Sequence, residues 1–161
     1  MATPHSSKSP FVTRPGEGLT FTTTPTDVMT FLCRGDAAMP DVMTERLAAG
    51  DGPPLHSHPW AAWDVVTRGK VRFQIDGQTY DLEAGSFIYT PANAVHAFMG
   101  LGDEEAEILQ FQWPGGFHVA YAELAEAFAG GPPDPAVMQG IAERHDFTLH
   151  GPPLAALEAA G

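Results

Sequence analysis

The sequence predicts an all-β domain, an antiparallel sandwich or barrel, followed by a short helical segment at the C-terminus. Short apolar or alternating runs recur up to Trp113, and runs of about five residues at this spacing are typical of strands. Glycine and proline, 17 and 15 of the 161 residues, supply frequent turns between them. Beyond Pro114 the apolar residues change to a helical period.

Eight segments are predicted as strands because apolar residues are continuous or alternate in them. They are residues 28–32, 42–47, 63–67, 71–75, 78–82, 86–90, 95–99 and 106–113. Between the fourth and fifth segments lies Asp76-Gly77, a sequence typical of a two-residue hairpin turn. These two segments are therefore expected to be antiparallel neighbours.

The segment after Pro114 predicts two helices. Four large apolar residues recur at helical spacing and share one face: Phe117, Tyr121, Leu124 and Phe128. Glycines and prolines at 130–133 end this helix, and Asp134-Pro135 is a favourable start for a second, weaker one. We expect these helices to cover an open mouth or edge of the β-domain, because a separate domain of this length would have too small a core.

Charge and composition exclude several classes of function. Eight basic residues against 20 acidic ones give a net charge of −12, which disfavours nucleic-acid and membrane partners. The single cysteine, Cys33, excludes an intramolecular disulfide framework and is expected to be a small buried side chain. No nucleophile elbow or phosphate-binding glycine loop occurs. The first residues lack the apolar run of a signal peptide, and we expect a cytoplasmic protein.

Three histidines are the candidate metal ligands. His56 and His58 are separated by one residue, so in a strand both imidazoles point to the same side and can converge on one ion. Taken alone, this dipeptide pattern fits two surface histidines in a turn after Pro53-Pro54 at least as well. His96 follows a second turn further along the chain.

Glycines and a proline frame these histidines in two motifs. The first motif consists of Gly52, His56, His58 and Gly69, and the second of Gly85, Pro91 and His96. This pair, over about residues 50–100, resembles the cupin superfamily, and the surrounding segments are similar to small bacterial quercetinase-like (type-2) cupins. The resemblance implies a double-stranded β-helix (jelly-roll) barrel over residues 11–114, after a flexible N-terminus at 1–10. A helical tail at 115–161 would pack on the barrel.

The resemblance also implies one divalent transition metal held by His56, His58 and His96. Fe(II) is favoured, and Zn, Ni, Cu and Mn are the alternatives. The acidic ligand of the family falls at about Ala62, which cannot bind a metal. Without that carboxylate, the metal keeps one more unit of positive charge and favours an anionic, enolate-like ligand.

Two further positions bear on the site. The glycine of the second motif is replaced by Asn93, a tolerable change because asparagine accepts a left-handed backbone better than most residues. Asp64 lies two residues after Ala62 and on the same strand face, so it is the candidate catalytic proton acceptor. The alternative for Asp64 is an ordinary exposed aspartate beside a turn, and we favour it slightly.

The last predicted strand can face either way. Gln110 and Gln112 share one face and could bind a ligand or orient a histidine if that face is interior. Leu109, Phe111 and Trp113 form the other face, and we expect these three to pack in the core. The histidines outside the motifs are expected at surface or cap positions: His5, His118, His145 and His150.

Together these features predict a metal-dependent cupin enzyme. The reaction expected is that of a dioxygenase on a small enolisable or phenolic substrate, such as a flavonol or a diketone. One alternative is a non-oxidative isomerase, cyclase or lyase that uses the metal as a Lewis acid. The other is a non-catalytic cupin that only binds a small molecule, which Ala62 favours. A homodimer is expected, as is frequent among such cupins.

Overall fold

The computed structural model describes residue 5 and residues 8–161. Its strands are β1 (Leu19–Thr24), β2 (Asp27–Cys33), β3 (Asp41–Leu47), β4 (Pro54–Ser57), β5 (Ala61–Arg68), β6 (Lys70–Ile75), β7 (Gln78–Glu83), β8 (Phe87–Thr90), β9 (His96–Leu101), β10 (Ala106–Trp113) and β11 (Thr148–Pro153). Its helices are α1 (Phe117–Phe128), α2 (Pro135–Arg144) and α3 (Leu154–Ala159). The flexibility expected for residues 1–10 concerns a segment of which 1–4 and 6–7 lie outside the described residues.

The strands form two antiparallel sheets. One sheet has six strands in the order β1-β2-β3-β10-β5-β8, and the other has five in the order β11-β4-β9-β6-β7. All eight segments predicted as strands are present, and the predicted hairpin joins β6 to β7, with Ile75 opposite Gln78. The prediction of an all-β jelly-roll is confirmed.

Apolar side chains fill the two ends of the barrel. At one end the buried cluster consists of Leu47, Val66, Val71, Phe73, Ile88, Phe98, Ala106 and Ile108. At the other end α1 and α2 pack against β2 and β3 through a second cluster that includes Phe31, Met43, Leu124 and Ile141. Each fully buried side chain of this size stabilises the fold by about 1.5–3 kcal/mol. Between the two ends lies a cavity of about 300 Å³.

Strand β10 faces the opposite way from the expectation. Gln110 and Gln112 are buried on the inner face. On the outer face, Phe111 and Trp113 are 36% and 45% exposed, so the prediction that they pack in the core is wrong. The outer aromatics instead lie beside those of β5 and β8, where Trp63 and Tyr89 have ring centroids 5.6 Å apart. Because both faces of β10 alternate regularly, the period alone gave no preference between them.

The chain after Pro114 adds a strand as well as helices. Strand β11 pairs with β4, Leu149 opposite His56, and so extends the five-stranded sheet. Its Gly151-Pro152-Pro153 sequence is unusual in a strand, which is why the pattern did not predict it. Helix α2 begins as predicted, with the Asp134 carboxylate accepting from Ala136 N at 2.8 Å. The three described helices have 12, 10 and 6 residues, and none has the length and apolar character to cross a membrane.

A buried carboxylate on β3 caps helix α1. The helix starts after Gly116, which offers no capping side chain. Instead Asp41 Oδ2 accepts from the backbone nitrogens of Gly116 and His118, at 2.9 and 3.2 Å. Its Oδ1 accepts from Gly35 N at 2.7 Å and lies 3.1 Å from His118 Nδ1. The expectation of a surface or cap position for His118 is met only in part, because this residue of the first turn is buried against the sheet.

We expect Asp41→Ala to destabilise the fold by about 3 kcal/mol, because it leaves three buried backbone donors and an imidazole without their acceptor. The matched control is Asp134→Ala, which removes an exposed cap of α2 and should cost about 1 kcal/mol. Equilibrium urea unfolding measures both. Equal losses for the two variants would contradict the role assigned to Asp41.

Candidate metal centre

The register of β4 and β9 brings the three histidines together. His56 and His96 are direct cross-strand partners, and His58 follows β4 by one residue. Their ring centroids are 4.3 Å apart for His56 and His96, 4.8 Å for His58 and His96, and 5.6 Å for His56 and His58. One ring nitrogen from each residue lies within 4.8 Å of the others. The alternative of two surface histidines in a turn is wrong for this pair.

Backbone carbonyls fix the tautomer of each imidazole. In every case Nδ1 contacts a carbonyl oxygen two residues away: Pro54 O for His56 at 2.7 Å, Trp60 O for His58 at 2.8 Å, and Ala94 O for His96 at 2.9 Å. A carbonyl can only accept, so Nδ1 carries the proton and Nε2 keeps its lone pair. Metal-binding histidines in proteins are oriented in the same way.

Burial keeps these rings neutral. Desolvation lowers the pKa of His58 to about 4, and the neighbouring imidazole of His96 adds to the effect. The pKa of His56 is held well below its ordinary value by burial and by the other two rings, and burial also lowers the pKa of His96. At neutral pH, therefore, protons do not compete for the three nitrogens. Three neutral nitrogen donors fit Zn or another divalent transition metal, and they can hold such an ion.

A tryptophan and a glutamine hold His58 in place. The indole of Trp60 stacks on the His58 ring, with centroids 4.4 Å apart and planes 3° apart. Trp60 Nε1 donates to Gln112 Oε1 at 3.0 Å. Gln112 is the cross-strand partner of Ala62, at the position where the family has its acidic ligand. Gln112 is buried, so the favoured expectation of a surface position is wrong, and the alternative that it helps to orient a histidine is the one that fits.

The motif glycines and Asn93 allow the strands to approach closely. A Cβ on Gly52 would lie 1.9 Å from the carbonyl oxygen of Phe98 on β9, so no side chain fits there. Asn93 has φ of 66°, the left-handed conformation expected for it, and its backbone nitrogen donates to His58 O at 2.8 Å. This bond joins the loop before β9 to the segment that carries His58.

The histidines line the central cavity together with residues from the opposite sheet. Asp64 of β5 is among them, only 3% exposed. The expectation of an exposed aspartate beside a turn is therefore wrong. Its Oδ1 has no hydrogen-bond partner among the described residues, and burial raises the pKa of its carboxyl to about 8. All four apolar residues predicted on one face of α1 also line the cavity: Phe117, Tyr121, Leu124 and Phe128.

Two further acidic residues of this cavity were missed by the sequence analysis. Glu45 of β3 and Asp27 of β2 are both buried on the inner face of the six-stranded sheet. The signal that could have found them is the strand period. Glu45 has the parity of Met43 and Leu47, and Asp27 has that of Met29, all of which are buried.

We expect Asp64→Asn to stabilise the metal-free protein increasingly as the pH rises from about 4 to about 8. In that interval the unfolded chain releases the Asp64 proton while the folded chain retains it. The wild type therefore loses stability relative to the variant, by up to roughly 1.4 kcal/mol per pH unit. Urea unfolding at several pH values measures the difference, with exposed Asp103→Asn as control. A difference that does not change with pH would show that Asp64 ionises as a free aspartate does.

Comparison with known proteins gives the same architecture. The family model described as "Cupin domain" matches residues 43–111. A curated protein, polyketide synthase CurC of Streptomyces cyaneus, is 34% identical over 55 residues. That match covers 34% of this chain and 36% of the relative, so it spans about a third of the relative's length.

Solved structures share the fold at low sequence identity. An RmlC-like cupin from Shewanella frigidimarina has a TM-score of 0.61 and 14% identity, covering 69% of this chain and 96% of that one. KdgF from Halomonas sp. has a TM-score of 0.60 and 14% identity, covering 69% and 99%. A predicted oxalate decarboxylase from Thermotoga maritima has a TM-score of 0.56 and 19% identity, covering 63% and 97%. At these identities the likeness shows the fold alone.

Proposed function

The chain belongs to the cupin superfamily, and we propose that it is an enzyme with one divalent transition metal bound by His56, His58 and His96. The observation that carries this proposal is the meeting of three neutral imidazoles, each with its proton on a backbone carbonyl and its lone pair free. The donor set contains no carboxylate, because Ala62 stands at the acidic position. A neutral donor set favours an anionic substrate oxygen beside the ion.

We propose that the reaction is the oxygenation of a small enolisable or phenolic substrate, of the flavonol or diketone kind. When bound, the metal, Fe(II) by preference, supplies a Lewis acid for the enolate oxygen and a route for electrons to O2. The protein supplies a largely apolar enclosure, since Phe98, Phe117 and Leu124 line the cavity. The polyketide synthase named in the curated match supports this substrate class, because polyketide chains carry enolisable diketone units.

Asp64 is the proposed proton acceptor for the enol or phenol. Its Oδ1 has no hydrogen-bond partner among the described residues, so the atom is free to receive the substrate proton. Burial raises the pKa of the carboxyl to about 8, so the ionised form, which is the minor form at neutral pH, is a stronger base than a free aspartate. No charged neighbour contributes to that increase. The raised pKa of Asp64 thus comes from its burial.

Two other functions each have a supporting observation. The same polyketide synthase match favours a non-oxidative cyclase, isomerase or lyase, since a polyketone can be cyclised by a Lewis acid without O2. Ala62 favours a cupin that binds a small molecule without turning it over. Oxygen dependence and turnover separate these two functions from the oxygenase.

The experiment begins with metal content. Anaerobic titration with Fe(II) and with Zn²⁺ should give about one ion per chain, and His58→Ala should weaken affinity at least about 100-fold. The control is His150→Ala, which removes an exposed imidazole bonded to Ser57 Oγ at 2.8 Å. An unchanged stoichiometry and affinity in His58→Ala would contradict the proposed ligand set.

Oxygen uptake then tests the reaction on the same Fe(II)-loaded protein. With a panel of flavonols and diketones, the proposal expects consumption of O2 that requires metal and substrate together, and a rate lowered about 100-fold or more in Asp64→Asn. Product formation that continues without O2 would indicate the non-oxidative enzyme. Tight binding of a panel member without any product would indicate the binding protein.

We also propose a homodimer. Its support is the outer face of the six-stranded sheet, where neighbouring strands expose Phe87, Tyr89, Phe111 and Trp113. Apolar surface of this kind is unusual on a face that remains in water. Light scattering on the purified protein should give twice the mass of one chain, and the mass of a single chain would contradict the proposal.

A further inference from the structure

A row of polar side chains crosses the inner face of the six-stranded sheet and lines the cavity that the histidines of the five-stranded sheet also line. Asp64 of β5 lies beside its cross-strand partner Gln110 of β10. Gln110 Nε2 donates to Glu45 Oε2 of β3. Glu45 and Asp27 are buried beside each other, and burial together with the neighbouring Asp27 carboxyl raises the pKa of Glu45. Asp27 Oδ2 accepts from Thr23 Oγ1 of β1 at 2.9 Å. We call Asp27, Glu45, Asp64 and Gln110 the carboxyl row.

The carboxyl row is buried and faces open space. Each of its four members is at most 6% exposed, and each lines the cavity. Polar groups in such a position are costly unless they are hydrogen-bonded. Yet Asp64 Oδ1 and Asp27 Oδ1 have no hydrogen-bond partner among the described residues. A ligand in the cavity can provide the missing partners.

The charge state of the carboxyl row selects the kind of ligand. Burial raises the pKa of Asp64 to about 8, and burial beside Asp27 raises that of Glu45 well above its ordinary value. The pKa of Asp27 is raised by burial as well. At neutral pH Asp64 is therefore largely protonated, and the raised pKa values of the other two carboxyls favour their protonated forms, so the row can offer both donors and acceptors. Hydroxyl and carbonyl oxygens match such a surface better than an ammonium group, which needs an ionised partner.

We propose that the carboxyl row is a second polar subsite, which binds hydroxyl or carbonyl oxygens on the part of a ligand that faces the six-stranded sheet. This inference rests on the proposed function for the histidine end of the cavity. His56 and His96 belong to the five-stranded sheet, and the carboxyl row belongs to the six-stranded sheet. A ligand between the sheets therefore contacts both. The walls between them are apolar and include Met29, Phe98 and Leu124.

The substrate class that follows is an apolar ring system or chain with oxygens at two separated positions. One oxygen group chelates the metal, and the other hydrogen-bonds to the carboxyl row. Polyhydroxylated aromatics and polyketones both meet this description. A substrate with oxygens at one end only would leave the row without partners, and it should bind more weakly for that reason.

Two flavonols test this inference on the Zn²⁺-loaded protein, in which no oxidation consumes the probe. Quercetin and 3-hydroxyflavone share the hydroxyketone that would chelate the metal, and quercetin carries additional ring hydroxyls. We expect quercetin to bind the wild type about tenfold more tightly, as one net hydrogen bond implies. Calorimetric titration measures both dissociation constants. This comparison needs no variant, so it does not depend on a substitution being tolerated.

The variant Glu45→Met then tests whether the preference for quercetin over 3-hydroxyflavone arises from the carboxyl row. It replaces the central carboxyl of the row by an apolar side chain of similar length, and the ratio of the two constants should fall below about threefold. Exposed Glu104→Met is the matched control and should keep the wild-type ratio. Equal binding of the two probes by the wild type, or a preference that survives in Glu45→Met, would overturn the inference.

The outcomes also separate this inference from the proposed function. Equal binding of both flavonols with normal oxygen uptake removes the second subsite and leaves the reaction at the histidines intact. A preference for quercetin without oxygen uptake removes the oxygenase and leaves the subsite. If neither flavonol binds, the inference is overturned, whatever the protein does with diketones.

Discussion

Three backbone carbonyls determine what the cavity of this protein can bind. The oxygens of Pro54, Trp60 and Ala94 can only accept, so each forces the proton of its histidine onto Nδ1. Three lone pairs then meet within 4.8 Å, in surroundings where burial makes protonation unfavourable. The three imidazoles present only lone pairs to one another, and a metal cation can bind all three of them. The close approach of β4 to β9 at Gly52 keeps the carbonyls and the rings in register.

The two sheets contribute different chemistry to one cavity. The five-stranded sheet brings nitrogen donors to it, and the six-stranded sheet brings carboxyl groups whose pKa values burial raises. Ala62 of β5 lines the cavity between the two sheets. Its small side chain removes the acidic ligand of the family, while Asp64, two residues along the same strand, keeps an acid on the same inner face. Strand β5 thus carries both the alanine at the position of the acidic ligand and a buried carboxyl group, that of Asp64.

The sequence predicted that the three histidines come together, because the signals for this are local. The spacing of His56 and His58 and the glycines around them follow from backbone geometry that few other residues allow. The carboxyl row could not be found in this way. Both faces of β10 alternate with equal regularity, and only the packing of Phe111 with the outer aromatics shows that Gln110 faces inward. Glu45 follows the parity of buried neighbours, but its polarity argued against an inner position. Strand β11 was missed because Gly151 and two prolines disfavour a strand unless a partner such as β4 is present.

The hydrogen bonds by which Asp41 caps helix α1 bear on where a ligand can enter the cavity. Helix α1 carries the apolar face that closes one end of the cavity, and its first turn is fastened to β3 by a fully buried carboxylate. That turn is therefore a fixed wall, since lifting it would separate two backbone donors, those of Gly116 and His118, and the His118 imidazole from their acceptor. We expect ligands to enter where Thr24 and the Gly50–Pro53 loop border the cavity, because these residues are only half-buried. The size of molecule admitted then depends on these short loops and not on any movement of the helix.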